Sequence, residues 1–200
     1  MKSNVCKINN GISDLSDILN ESAKVAVYND FDQKQSLQLR LICEEIDGML
    51  PNIIDEFEGD FWIECEDDIC KVNVSIKIPE FNVLKKEELV GIAKSKRNAA
   101  AVGIVGKIRN AIENFLLDDD AMSAINISSS MYHFSSGLSG GVDYACFWSL
   151  EDYRLKVKKE EQSEAWDELE KSVLACVADD VIVKVKGSCA DIVIVKKIRR

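Results

Sequence analysis

The stretch from Leu37 to Ile78 constrains the fold most, because its apolar period changes within it. Leu39, Ile42, Cys43, Ile46, Met49, Leu50, Ile53, Ile54 and Phe57 recur every three or four residues, which gathers them on one stripe of a helix. From Phe61 the period drops to two. Phe61, Ile63 and Cys65 alternate with Trp62 and Glu64, Glu66-Asp67-Asp68 supply a turn, and Val72, Val74, Ile76 and Ile78 alternate with Asn73, Ser75 and Lys77. A one-striped helix and a one-faced hairpin bury their apolar sides against each other. Pro51 lacks a backbone donor and crowds the carbonyl of Asp47, which predicts a kink or break there. Gly48 reads as a place for another backbone to approach, and Pro79 stops the second strand.

The rest of the chain follows the same grammar. Residues 3 to 9 predict a short first strand and Asn10-Gly11 a turn. Leu15, Ile18, Leu19, Ala23, Ala26 and Val27 then predict a helix over 12 to 28. Further helices are expected over 84 to 93 and 98 to 117, the second with Val102, Val105, Ile108, Ile112, Phe115 and Leu116 on one face. Ser163 caps a single helix carrying Trp166, Leu169, Val173, Cys176 and Val177, which ends at Asp179-Asp180. Val181, Val183 and Val185, then Ile192 and Ile194, form a last hairpin about Gly187-Ser188, and the basic end Lys196 to Arg200 reads as solvated. Ser, Gly and isolated aromatics dominate Asp118 to Asp143, so residues of about 118–162 are expected as an inserted flexible or lid region, or a subunit contact. No internal repeat is evident. The order of elements describes one domain over 1–200, an α+β two-layer sandwich with helices on one face of an antiparallel or mixed sheet.

Composition narrows the function. With 25 basic against 35 acidic residues the net charge is -10, which repels phosphate backbones and argues against nucleic-acid binding. No segment reaches the ~18 apolar residues of a membrane span, and the first residues hold no signal-like apolar region; a soluble cytoplasmic protein without membrane partners is expected. The 7 cysteines include Cys65 and Cys70, which are not at zinc-knuckle spacing, and the chain has 1 histidine. The cysteines are therefore expected as reduced, small hydrophobic residues, with no metal site.

Two constellations could carry chemistry. Glu44 and Glu45 are neighbours on the long helix and point about 100° apart, so they form no close carboxylate dyad, and a solvated acidic face is the plain alternative. Lys94, Lys96, Arg97, Lys107 and Arg109 fall in a stretch without acids. A helix starting near Asn98 would aim free amides at the same place as the first three cations, and Gly103 and Gly106 would admit a close neighbour. A phosphate-bearing ligand or an acidic partner fits such a start. The plain alternative is a cationic helix start balanced by nearby acids. His133 reads as a loop residue, and Trp62, Trp148 and Trp166 as core or insertion anchors.

The run Leu41-Ile-Cys-Glu-Glu-Ile-Asp-Gly-Met49 resembles the first nucleotide motif of the GHKL (histidine-kinase-like) ATPase superfamily, in particular the anti-sigma-factor serine kinases. Asn98-Ala-Ala-Ala-Val-Gly-Ile-Val-Gly-Lys107 and Phe61-Trp62-Ile63-Glu64 are similar to stretches of clostridial ATP-binding, anti-sigma-like proteins. The resemblance implies that Glu45 is the catalytic glutamate. Met49 stands where the family has a magnesium-holding asparagine, and a thioether is a poor ligand for that cation. After the hairpin the family's Asp-x-Gly-x-Gly is replaced by Ile78-Pro79-Glu80-Phe81-Asn82, leaving Glu80 as a displaced substitute for the adenine acceptor. With those departures, the resemblance implies a regulatory protein on a degenerate ATPase scaffold, acting by protein association. A sigma factor or anti-sigma antagonist is the implied partner, catalysis is not expected, and an aromatic-rich insertion suits a homodimer. The alternative is an ATP-binding serine kinase or other phosphate-ligand binder with an altered site. It would use Glu45, Glu80, Lys94, Lys96, Arg97, Asn98, Gly103, Gly106 and Lys107, with ATP and magnesium as cofactors.

Overall fold

A computed structural model describes residues 1–9, 15–54, 56–77, 103–117, 146–160, 163–186 and 188–198. The chain runs β1 (Cys6–Asn9), α1 (Leu15–Tyr28), α2 (Gln33–Ile53), β2 (Glu58–Glu66), β3 (Ile69–Lys77), α3 (Gly103–Leu117), β4 (Cys146–Ser149), α4 (Leu150–Lys159), α5 (Ser163–Lys171), α6 (Val173–Val177), β5 (Asp180–Lys186) and β6 (Cys189–Lys197). The six strands form one sheet in the order β1-β2-β3-β6-β5-β4, and every neighbouring pair is antiparallel. It is thus an α+β fold with an antiparallel sheet, not a mixed one. No helix among the described residues is long and apolar enough to cross a membrane.

Strand alternation decides where the core lies. Phe61, Ile63 and Cys65 of β2, Cys70, Val72, Val74 and Ile76 of β3, Ala190, Ile192 and Ile194 of β6, and Val181, Val183 and Val185 of β5 point to one side. There they share a single core with side chains from all six described helices. The opposite face carries a cross-strand row: Lys7 pairs with Asp60 at 2.6 Å, and Ser75 Oγ donates to Asp191 Oδ1 at 2.6 Å. At the N-terminal end, Glu21 accepts from the Asn4 backbone at 3.0 Å, from Asn4 Nδ2 at 3.1 Å and from Lys24 Nζ at 2.7 Å. The Lys24 hydrogen bond, with help from Asn4, holds the Glu21 carboxyl below the usual carboxylate range.

The topology contains a repeat that the sequence conceals. Strand, helix, helix, hairpin (β1, α1, α2, β2, β3) is followed by strand, helix, broken helix, hairpin (β4, α4, α5 with α6, β5, β6). Both hairpins close on two-residue turns, Glu66 opposite Ile69 and Lys186 opposite Cys189, so a residue of the first corresponds to one 120 positions later in the second. At the central seam Ile69 faces Lys197, Lys77 faces Cys189, and Asn73 faces Val193, its own counterpart. That register is what a two-fold axis passing between Asn73 and Val193 requires. The two halves relate as the subunits of a dimer fused into one chain.

Several expectations are corrected. The α2 helix does not break at Pro51 but runs to Ile53, because a proline in the last turn forfeits one hydrogen bond and the chain leaves the helix at Ile54 soon after. Its start has a full capping box: Gln35 N donates to Asp32 at 2.7 Å, and Asp32 N to Gln35 at 2.9 Å. Gly48 admits no neighbouring backbone; it is exposed, and an added methyl would meet nothing within 4 Å. Gly48→Ala is therefore expected to stabilise the protein by about 1 kcal/mol, checked by urea denaturation, since alanine restores helix propensity at no steric cost.

The expected single helix from Ser163 is split at Ser172, whose hydroxyl accepts from Ala175 N at 3.3 Å and starts α6. Cys65 and Cys70 are not reduced. They face each other across β2 and β3 with Cα atoms 4.1 Å apart and are joined as a disulfide, while Cys6, Cys43, Cys176 and Cys189 are free. Burial, above all, pushes the Cys43 thiol up to about 12, which leaves it inert. The basic end is tied down as far as Ile198. Lys196 Nζ lies 3.5 Å from Asp179 and donates to the Val177 carbonyl, and Ile198 is buried. Trp166 is no core anchor: it is 41% exposed, with its indole N–H on Glu170. Within the range expected as a lid, residues 146–160 are instead built into the sheet and core as β4 and α4, because β5 offers an edge and Leu150 and Val157 are apolar enough to be buried.

Candidate functional site

The residues proposed from sequence fall in two places on the helical layer. Glu45 lies half-buried on α2, one turn before Met49. Its neighbour Glu44 receives Arg40 Nε at 2.9 Å, an exposed pair of the kind that laces a solvated helix face. Met49 is 4% exposed and belongs to the core with Ile46, Leu50 and Ile53. The position that the resemblance gives to a magnesium ligand is filled by a core thioether.

The second place is the start of α3. Glu80, Lys94, Lys96, Arg97 and Asn98 lie outside the described residues. Among the described residues α3 begins at Gly103, whose φ of 75° is left-handed and suits glycine; the expected start near Asn98 lies outside them. An added methyl at Gly103 would meet nothing within 4 Å, so this glycine serves backbone conformation and not close approach. Gly106 is buried in the first turn.

What meets the helix start is an internal carboxylate. Gly103 N donates to Glu168 Oε2 of α5 at 3.2 Å. An anion is favoured there because the first amides of a helix have no intrahelical acceptor. One turn on, Lys107 Nζ lies 5.5 Å from the centroid of the Tyr153 ring of α4, within reach of a cation–π contact. Tyr153 in turn lies against Trp148 of β4 with ring centroids 6.2 Å apart. Burial first, then the charge of Glu168, raises the Tyr153 pKa, which keeps the phenol neutral. Further along, Arg109 Nη1 donates to the Asn52 carbonyl near the end of α2 at 3.4 Å.

Of the proposed residues, the structure brings Gly103, Gly106 and Lys107 together on α3, with Glu45 on another helix. Sequence reasoning missed Glu168, Tyr153 and Arg154. Arg154 clamps the end of α6 by donating to the carbonyls of Asp179 at 2.8 Å, Ala178 at 3.3 Å and Ala175. One signal was available: Ser149-Leu-Glu-Asp152 has the residues of a helix start, and Asp152 N does donate to Ser149 Oγ at 3.1 Å. That pattern places Tyr153 and Arg154 on a helix. In comparisons with known proteins, no family model matches the chain, and no curated protein or solved structure matches it either.

Proposed function

We propose that this chain is a regulatory protein that acts by binding another protein, in an anti-sigma-like role on a degenerate histidine-kinase-like scaffold, and that it turns over no nucleotide. The observation that carries the reading is apolar surface on the helical layer of both repeats. Val27 and Tyr28 of α1 with Leu37 of α2 are exposed in the first, and Leu155 of α4, Trp166 of α5 and Val173 of α6 in the second. Tyr28 is 70% exposed and Leu155 61%, so a partner that covered them would gain by removing apolar area from water. The filled positions support the second half of the reading. A core methionine stands where a divalent ion would need oxygen, and a protein carboxylate takes the Gly103 amide at the start of α3, where a phosphate would bind. The scaffold part of this reading rests on the likeness of Leu41 to Met49, Phe61 to Glu64 and Asn98 to Lys107 to that superfamily.

Photo-crosslinking tests the association. With p-benzoylphenylalanine in place of Tyr28, Leu155 or Trp166 in the cells that make the protein, a discrete covalent adduct is expected at one or more of these positions. None is expected at exposed, polar Glu160. No adduct at any apolar position, or equal adducts at Glu160, would contradict the reading.

A further inference from the structure

The two hairpins share a turn length but not a cystine. Cys65 and Cys70 of the first stand where the second has Val185 and Ala190, and all four are buried, at 4%, 1%, 0% and 0% exposed. The second hairpin closes its two-residue turn without a covalent tie, so this fold does not need one at that place. The cystine joins residues only 5 apart in sequence and restrains the unfolded chain less than a long-range bridge would. Elsewhere Cys176 and Cys189 are exposed and free. Exposed thiols beside a cystine suit a reducing compartment, where such a bond is transient and redox-sensing.

The neighbours of the cystine link it to the apolar surface of the first repeat. Cys65 N donates to the Met1 carbonyl at 2.8 Å, Ser3 N to the Ile63 carbonyl at 2.8 Å and Ile63 N to Ser3 Oγ at 2.9 Å, so residues 1–3 run along β2. The same segment is tied to α1: Asn4 donates to Glu21, and Asn29 Nδ2 donates to Met1 Sδ at 3.8 Å. Asn29 directly follows Val27 and Tyr28, which are 78% and 70% exposed. At the turn itself, Ile198 N donates to the Asp68 carbonyl at 2.7 Å. Residues 66–69 are exposed, and the cysteines just inside them are not.

We infer that Cys65 and Cys70 form a redox switch, opened by a dithiol and closed by the matching cyclic disulfide, which sets the order of residues 1–3 and thereby the surface at Val27 and Tyr28. The inference rests on the association reading and names a regulation for it. In the opening step a thiolate of the dithiol attacks one sulfur, the bond between Cys65 and Cys70 breaks, and a mixed disulfide forms. The second thiolate of the dithiol then displaces the attached cysteine. The cystine is reduced by two electrons, the dithiol is oxidised to a cyclic disulfide, and its two protons end on Cys65 and Cys70. Two thiols take more room than a cystine, in a close-packed core. The nearest relief is at the turn, where Cys65 parts from Met1 and Asp68 from Ile198. Met1 then no longer holds Asn29. Local opening of this kind leaves the rest of the sheet paired.

Dithiothreitol at millimolar concentration is the probe, applied to the full chain. Alkylation followed by peptide mass spectrometry is expected to find Cys65 and Cys70 blocked before reduction and labelled after it, with the fold kept. Hydrogen exchange at the amides of Ser3, Cys65 and Ile198 is expected to be at least about tenfold faster in the reduced chain, and unchanged at Val183 and Ile192 of the second hairpin. The crosslink yield at Tyr28 is expected to rise on reduction and to stay level at Leu155. Cys65→Val with Cys70→Ala, which copies the second hairpin, is expected to keep the slow exchange and to ignore dithiothreitol. A cystine that resists dithiothreitol until the chain unfolds would overturn the inference, since it would be a permanent staple. So would loss of the whole sheet on reduction, reduction without faster exchange at Ser3 and Ile198, or the same response in the double variant. Equal adducts at Tyr28 in both redox states would overturn the switch and leave the association reading standing. No adduct at any apolar position removes that reading, and the regulation with it, whatever the exchange shows.

Discussion

Gly59→Ala is expected to destabilise the protein by about 3 kcal/mol, although it adds one methyl group to a strand. Gly59 faces Ile8 of β1 on one side and Ile76 of β3 on the other. A methyl built there would come within 2.4 Å of the Ser75 carbonyl oxygen and 2.8 Å of Ile76 Cγ2. The first of these is backbone, so relief requires β2 and β3 to part and not a side chain to turn. Glycine in a strand marks such a close approach. Equilibrium urea unfolding checks it, read as a fall in midpoint at unchanged slope. A variant as stable as its parent would mean that β2 does not lie against β3 in this register.

Two residues on, Phe61→Ala is expected to cost about 4 kcal/mol for the opposite reason. Phe61 is fully buried on the core face, between Cys6 and Val74 across the strands. Removing the ring forfeits its transfer free energy and leaves a cavity that a paired strand cannot collapse into. The same unfolding experiment applies. A loss below about 1 kcal/mol would place the ring at the surface and reverse the assignment of faces along β2.

The elements were legible wherever one periodicity ran long enough to outvote its exceptions. The α2 stripe and the β2–β3 hairpin stand as read, since Ile42, Ile46, Phe61, Ile63 and Val72 are all buried. The repeat was not legible, because the two halves share a pattern and almost no residues. Cys65 and Cys70 correspond to Val185 and Ala190, and the cross-strand pair Glu64 and Lys71 corresponds to Lys184 and Asp191 with the charges exchanged. Cross-strand complementarity is kept while identity is lost. Breaks decided by one side chain were also hidden: Ser172 fits a helix interior well enough until its hydroxyl takes the Ala175 amide. At the candidate site, the α3 helix and its lysine were visible, but Glu168 was not. Its role comes from α5 packing beside α3, a tertiary contact that no spacing along the chain announces.

On the proposed reading, Met49 fills the place of a magnesium ligand and Glu168 takes the Gly103 amide, so that association is the work left to the chain. A titration of magnesium-ATP into the protein, followed by the methyl resonance of Met49 and those of Ile42 and Ile46 beside it, reads those positions directly. Unchanged resonances up to millimolar nucleotide are the predicted result. A saturable shift at Met49, abolished by removing magnesium, would contradict it.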